Sequence, residues 1–448
     1  MLSCNDRDDI IFSFVGFATS IFRFPIKSMS SGQDWCKALC HALLSGTGAV
    51  DDLSIDGTIH GLLEEAELIS IFDALRKNKR LIEFSIRSLD LTRASISALV
   101  PALKNCHYLE QICIEDVRDV DECLPELLAV TLFFNRSVKR LALRSCWINS
   151  PVSGYSIGSM LNAMLHLEEL QISHNHIDEN AAAAMGIALK LNSSLKVLDL
   201  TGSSMGCAAI YALARGLGYN KTLTILILNF NCFGDHGCEG LAKMLERNDT
   251  LQELHFFGNR VTAKGTTTLA EALKTNTTLR ALEMSFNRIG DEGVTKLAEC
   301  LTVNTTLEKV WFPYNCVGCD GLLAFAGQLP KMKGLKELYV GLLLHDDIEI
   351  ALAKALQYNL HLSILYMEKP TVIEEEDGAL SPIAKGMDFY LRCNKSGRRL
   401  LLERNVEMNL WSHFLSSAIS NGRCDGTPDV LHYMVRSNPT LFQCRKNG

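Results

Sequence analysis

Residues able to do chemistry are few in this chain, and they are scattered. Cys316 and Cys319 form a C-x-x-C whose thiolates could hold a metal ion, but no second pair and no neighbouring His supplies the remaining ligands of a zinc site. His174 and His176, with Glu169, are another set of ligand types, although alternating His beside a turn read more simply as exposed side chains. Arg392, Lys395, Arg398 and Arg399 could take a phosphate, or form a solvated helix face against the acidic run 374–377. No Gly-rich phosphate loop follows a strand, and no H-E-x-x-H occurs. The chain is therefore expected to be no enzyme and to work without a metal, a cofactor or a small-molecule substrate.

Composition narrows the classes further. Of 448 residues, 47% are hydrophobic and 21% charged, the balance of a folded chain. A net charge of −7 with no concentrated basic stretch excludes an electrostatic nucleic-acid binder. The sixteen cysteines are dispersed, several at apolar repeat positions, which fits reduced thiols packed as small hydrophobes. Residues 10–24, IIFSFVGFATSIFRF, are apolar enough for a signal-peptide core, yet the leader MLSCNDRDD carries three Asp and one Arg where a secretory leader is positive. The run is also too short and interrupted to span a bilayer. The expectation is a cytoplasmic protein without membrane association; a targeting signal, or an extension ahead of Met29, is the alternative.

The elements that must position any active side chain are written as a repeat. With Leu279 as offset 1, Leu282, Met284, Asn287 and Ile289 stand at offsets 4, 6, 9 and 11, and Leu307, Val310, Phe312, Asn315 and Val317 repeat them one period later. Twelve units start at Val50, Leu81, Leu109, Val138, Leu167, Leu195, Leu223, Leu251, Leu279, Leu307, Leu335 and Leu362, and all six steps from Leu167 to Leu335 are 28 residues. The first half of each unit reads L-x-x-L-x-L, the alternation of a short strand with one buried face. The second half, as in GVTKLAECL (293–301), spaces Leu and Ala helically and leaves Lys and Glu outside. Neither half can bury its apolar side alone, so the units must stack on copies of themselves. The expected fold is an α/β solenoid, a horseshoe with a parallel sheet on the concave face and helices on the convex face.

Two asparagine series run through the units. Asn175, Asn231, Asn259, Asn287 and Asn315 occupy offset 9, where an amide can satisfy backbone groups as the chain leaves the strand. Ser203 interrupts that series and predicts a local irregularity; Leu89, Val117 and Cys146 replace the Asn in early units and predict looser turns there. Asn192, Asn220, Asn248, Asn276 and Asn304 each precede Ser or Thr by two and match the N-glycosylation pattern; the competing reading is a left-handed residue that ends each helix.

The phrase L-x-x-L-x-L-x-x-N-x-I followed by G-x-x-x-L-A-x-x-L, at this period, resembles the ribonuclease-inhibitor type of leucine-rich repeat over about residues 50–370. That type also occurs in the repeat arms of NOD-like receptors and in Ran GTPase-activating protein. Residues 371–382 read as an acidic connector and 383–448 as a helical tail or cap, while 1–49 hold WCKALCHALLSG (35–46) as the matching helix at the other end. Through YLRCNKSGRRLL (390–401), Trp411 and DVLHYMVRSNP (429–439), the tail resembles that of leucine-rich-repeat proteins predicted from diatoms and related algae.

Offsets 3, 5, 7 and 8 stand on the hollow side of such an arc. The first units place Glu83, Arg87, Glu115, Asp116, Arg140 and Arg144 there; later units place Phe230, His255, Phe257, Glu283, Phe286, Trp311, Tyr314, Tyr339 and Tyr366. One surface thus changes from mixed charge to aromatic. With strands ~4.8 Å apart, aromatic side chains in adjacent units form a nearly continuous ridge. Such a ridge is either a surface for a protein or peptide partner or internal packing along the turns, with the tail over Tyr339 and Tyr366. The leading expectation is a non-catalytic interaction scaffold. The resemblance implies an alternative, GTPase activation of the Ran type, for which Arg87, Arg140 and Arg144 are the arginines on offer; an extracellular or organellar recognition protein is a third.

Overall fold

The molecule, a computed structural model, describes residues 32–45, 51–57, 63–119, 123–146, 148, 151–342, 346–368 and 382–395. The apolar run 10–24, the acidic connector, Arg398, Arg399 and most of the tail lie outside these residues.

Each L-x-x-L-x-L phrase forms a strand, and a further two-residue strand follows those of the second and third units. They are β1 (Asp52–Asp56), β2 (Glu83–Arg87), β3 (Asp90–Leu91), β4 (Gln111–Glu115), β5 (Arg118–Asp119), β6 (Arg140–Arg144) and β7 (Glu169–Gln171). There follow β8 (Val197–Asp199), β9 (Ile225–Ile227), β10 (Glu253–His255), β11 (Ala281–Glu283), β12 (Lys309–Trp311), β13 (Glu337–Leu342) and β14 (Ile364–Glu368). All but β3 and β5 join one twelve-stranded parallel sheet in chain order. Leu226, Leu254 and Leu282 are register partners across β9, β10 and β11, and Val310 and Leu338 continue the row. Offsets 1, 4 and 6 of every regular unit are buried in a single core. A leucine of these rows is worth ~2 kcal/mol in transfer from water, and truncating it to Ala costs ~2–5 kcal/mol with the cavity included.

Helices return the chain between strands. In Gly290–Leu301, Val294, Leu297, Ala298 and Leu301 face the core, while Lys296 and Glu299 bond each other at 2.9 Å outside. Helices pack side by side, and where they approach closest only glycine fits: a Cβ on Gly216 would stand 1.8 Å from the Gly186 carbonyl oxygen. The amphipathic helix Gly32–Ser45 packs Cys36, Leu39 and Leu43 against the first of them.

Both asparagine series prove to be links between units. Asn287 donates from Nδ2 to the carbonyls of Phe256 (3.1 Å) and Met284 (2.9 Å), and its Oδ1 accepts the N–H groups of Asn259 (2.9 Å) and Val261 (3.0 Å). The irregularity expected at Ser203 is present but small. Its hydroxyl keeps the donor role toward Ile172 O at 2.8 Å, and its main-chain carbonyl accepts the Ile177 N–H at 3.0 Å in place of the missing amide oxygen.

The early turns are not looser. Leu89, Val117 and Cys146 are buried, and β3 pairs with β5, so apolar packing and a short second sheet substitute for the amides.

The helix-end asparagines also differ from the left-handed expectation. None of the five has positive φ, and Asn192 is extended at φ −65°, ψ 131°. Asn304 illustrates their work: Nδ2 donates to Leu273 O (2.7 Å) and Asn276 O (3.1 Å), and Oδ1 accepts the N–H groups of Thr306 (2.8 Å) and Leu307 (2.7 Å). A glycan on these amides would have to break that ladder. Asn359 continues it, and Asn394 extends it past Leu362, donating to Asn359 O at 3.0 Å and Leu362 O at 2.8 Å. The helix Pro382–Lys395 therefore stacks on Asp346–Tyr358 as a further unit's helix, separated from the previous ladder residue by 35 positions instead of 28.

Candidate functional site

Offset 8 is where the strand turns away toward its helix, and its backbone is left-handed in nine consecutive units. Ser88, Asp116, Ser145, His174, Gly202, Phe230, Gly258, Phe286 and Tyr314 have φ between 51° and 69°. The reason lies in the next unit: the offset-8 N–H is drawn to the offset-7 carbonyl beside it, as in Phe230 to Phe257 O (2.7 Å) and Phe286 to Pro313 O (3.0 Å). Glycine tolerates this conformation, whereas a bulky side chain costs ~1–2 kcal/mol there. Gly202 and Gly258 avoid the cost; Phe230, Phe286 and Tyr314 bear it with rings that are 58%, 44% and 47% exposed.

Those rings join half-buried Phe257, which reaches the same rim from offset 7. Centroid separations are 4.7 Å for Phe230–Phe257, 4.6 Å for Phe257–Phe286 and 4.3 Å for Phe286–Tyr314. Four aromatic side chains thus form one unbroken ridge across four units. They stack on one another along the turns, and three of the four still face outward.

The second group lies inside the hollow at offset 5. His255, Glu283, Trp311, Tyr339 and Tyr366 are consecutive register partners on β10 to β14. Tyr366 is 51% exposed and meets Tyr339 edge to face at 6.0 Å. Trp311 is half-buried and donates from Nε1 to Glu337 at 3.1 Å. His255 does not offer a surface: it is 3% exposed, its ring stacked with Trp311 at 6.2 Å and its Nε2 3.4 Å from Glu253. It supports the patch from beneath. Glu283 lies between the His255 and Trp311 strands and accepts the Ser285 N–H at 2.7 Å; burial pushes its carboxyl above the ordinary range. The His255 ring holds the Glu253 carboxyl below it.

The sequence reading passed over Glu253, Lys309 and Glu337, the offset-3 neighbours that give this patch its charge. Lys309 Nζ stands 5.9 Å from the Trp311 ring centre and 3.8 Å from Glu337. Their signal was their position alone, since offset 3 faces the hollow as offset 5 does.

The charged first half is arranged otherwise. Arg87 bonds Glu115 at 2.6 Å, Arg140 bonds Gln111 at 2.9 Å and Arg144 bonds Gln171 at 3.0 Å. Each bond crosses to an adjoining unit. The remaining chemical candidates do not assemble: among the described residues, no three His, Cys, Asp or Glu side chains converge on a metal position, and Cys316 and Cys319 are free thiols. Burial pushes the Cys106 and Cys300 thiols up to about 11, as suits packing residues. A G-x-S-x-G spacing does occur, Gly154-Tyr155-Ser156-Ile157-Gly158, but it lies within the helix Pro151–Ala163 instead of on the strand-to-helix turn of a nucleophile elbow. A Cβ on Gly158 would meet Ala184 at 2.9 Å, so helix packing accounts for that glycine. Arg392 pairs with Asp388 on its own helix. No described helix is long and apolar enough to cross a membrane.

Parallel strands in chain order, a helix per unit and asparagine ladders at both ends of the regular units define the class: the fold is a leucine-rich-repeat solenoid. Residues 163–186, 219–242 and 275–298 match a family model described as Leucine Rich repeat. Among solved structures, the chain is similar to leiomodin-1 actin-binding site 2, with 19% identity, TM-score 0.29, and 42% of this chain and 90% of that one covered. It is also similar to the yeast Rad7 and Elc1 complex, with 13% identity, TM-score 0.43, and 78% of this chain and 92% of that one covered. No curated protein matches the chain in sequence.

Proposed function

We propose that the chain is a non-catalytic scaffold that holds a protein or peptide partner on its concave face, with the aromatic half from β9 to β14 as the contact surface. The observation that carries this reading is the four-ring ridge, three of whose members keep exposed rings on a left-handed backbone that two other units give to glycine. Rigid rings held in place by the array lose little freedom on binding and bring large contact area. Packing alone does not require a ring there, because Ser88, Asp116, Ser145, Gly202 and Gly258 occupy the same place in intact units.

The ribonuclease-inhibitor subtype is the form of repeat that the paired Asn ladders and the 28-residue period favour. Ran-type GTPase activation has less support: Arg87, Arg140 and Arg144 are each engaged by a neighbouring unit, whereas a catalytic arginine must reach a bound nucleotide. Cysteines packed as small apolar side chains suit a reducing, cytoplasmic setting. Affinity capture with the full chain beside its Phe286→Ala, Trp311→Ala, Tyr314→Ala variant tests the proposal. The wild type is expected to retain a partner that the folded triple variant loses; equal recovery by both would overturn the assignment.

A further inference from the structure

The concave patch on β10 to β14 combines two features. Aromatic faces of Trp311, Tyr339 and Tyr366 lie in one row. Carboxylates stand beside and among them: Glu283 next to Trp311 in that row, Glu253 and Glu337 at offset 3. Lys309 is the one basic side chain of offsets 3 and 5 on β10 to β14 apart from the buried His255, so three carboxylates face one lysine. That lysine already illustrates what the patch accommodates, since its ammonium lies near the Trp311 ring and the Glu337 carboxylate together. Ring faces carry negative quadrupole charge, and a cation between such a face and a carboxylate is stabilised by both.

Resting on the scaffold reading above, we propose that this patch receives a basic side chain, Arg or Lys, of the bound segment, while the ridge of Phe230, Phe257, Phe286 and Tyr314 takes apolar residues beside it. An acidic segment would meet Glu253, Glu283 and Glu337 and be repelled. The patch at offset 5 and the ridge at offset 8 are three residues apart along the strand, ~10 Å at strand rise. An extended ligand therefore spans them with a basic and an apolar residue about three positions apart.

The test uses the immobilised full chain and five soluble nonapeptide pools of the form X4-Z-X4, with Z fixed as Arg, Lys, Leu, Phe or Glu and X randomised without Cys. Captured peptides are quantified by mass spectrometry. The Arg and Lys pools are expected to be retained about tenfold more than the Glu pool and above the Leu and Phe pools, with apolar residues enriched three positions from Z. In Glu283→Gln, Glu337→Gln the preference for Arg and Lys should collapse to parity with Leu while apolar enrichment persists. That isosteric pair keeps the strand contacts, and its thermal midpoint confirms the fold. Retention led by Leu, Phe or Glu overturns the basic-residue proposal while leaving the scaffold standing. An unchanged Arg preference in the double variant also overturns it, and capture of no pool removes both it and the peptide form of the scaffold reading.

Discussion

The two halves of the concave surface solve the same structural problem with different chemistry. From β2 to β6 the turns are closed by buried Leu89, Val117 and Cys146 and a two-stranded sheet, and the exposed charges bond across units. From β9 to β12 the turns are closed by amide ladders, and through β14 the exposed positions carry rings. The first half is satisfied within itself. The second holds exposed aromatic rings at left-handed positions that glycine occupies in two other units, Gly202 and Gly258. Ser88, Asp116 and Ser145 share that backbone conformation, so what sets the second half apart is its large exposed rings, and these are the ground for proposing it as the contact surface.

The largest expected difference is in how the turns fail. Asn287→Ala removes two donors and two accepted N–H bonds from a buried position and should destabilise its region by roughly 3–5 kcal/mol. Val117→Ala at the corresponding place removes only packing and should cost about 2 kcal/mol. Chemical denaturation monitored by hydrogen exchange reports each region separately, which matters because repeat arrays open locally. Equal losses would erase the distinction between the halves.

A smaller difference is expected at the ridge itself. Phe286→Gly and Phe286→Ala lose the same ring, but only glycine relieves the left-handed backbone, so the glycine variant should be the more stable by about 1 kcal/mol. Thermal midpoints of the pair decide it; alanine equal to glycine would mean that the backbone cost is absent.

Smaller again is the ion pair of the first half. A double-mutant cycle on Arg87→Ala and Glu115→Ala should return a coupling of about 0.5 kcal/mol that fades in salt, since the pair is open to solvent. The least of these effects is a slope. Burial raises the Glu283 carboxyl in the folded chain, so the folded state holds its proton more tightly than the unfolded state. The stability this contributes is complete at low pH and is lost as pH rises from the ordinary carboxylate range through the raised value. Glu283→Gln should flatten thermal midpoint against pH across that window, and an unchanged slope would exclude the burial effect.

Much of this was legible in the residues. The L-x-x-L-x-L spacing located the strands and their register, because only one alternation buries offsets 1, 4 and 6 together. The offset-9 amides were readable too, since Asn at a strand exit has few other uses. The left-handed turn was hidden because its occupants, from Ser88 through His174 to Phe286, share no residue type; neighbouring carbonyls impose the conformation. His255 was read as a contact residue because its offset faces the hollow, but a large neighbour, Trp311, leans over it. Asn394 was missed as a ladder residue because 35 positions separate it from Asn359, which breaks the period while the stacking continues.

The most direct measurement is the affinity of a captured partner for the Phe286→Gly, Tyr314→Gly variant. Glycine removes the two rings yet suits the backbone that held them. The variant should match or exceed the corresponding alanine pair in thermal midpoint while binding about 100-fold more weakly than the wild type. A well-folded glycine variant that binds as tightly as the wild type would contradict the assignment of the ridge to recognition.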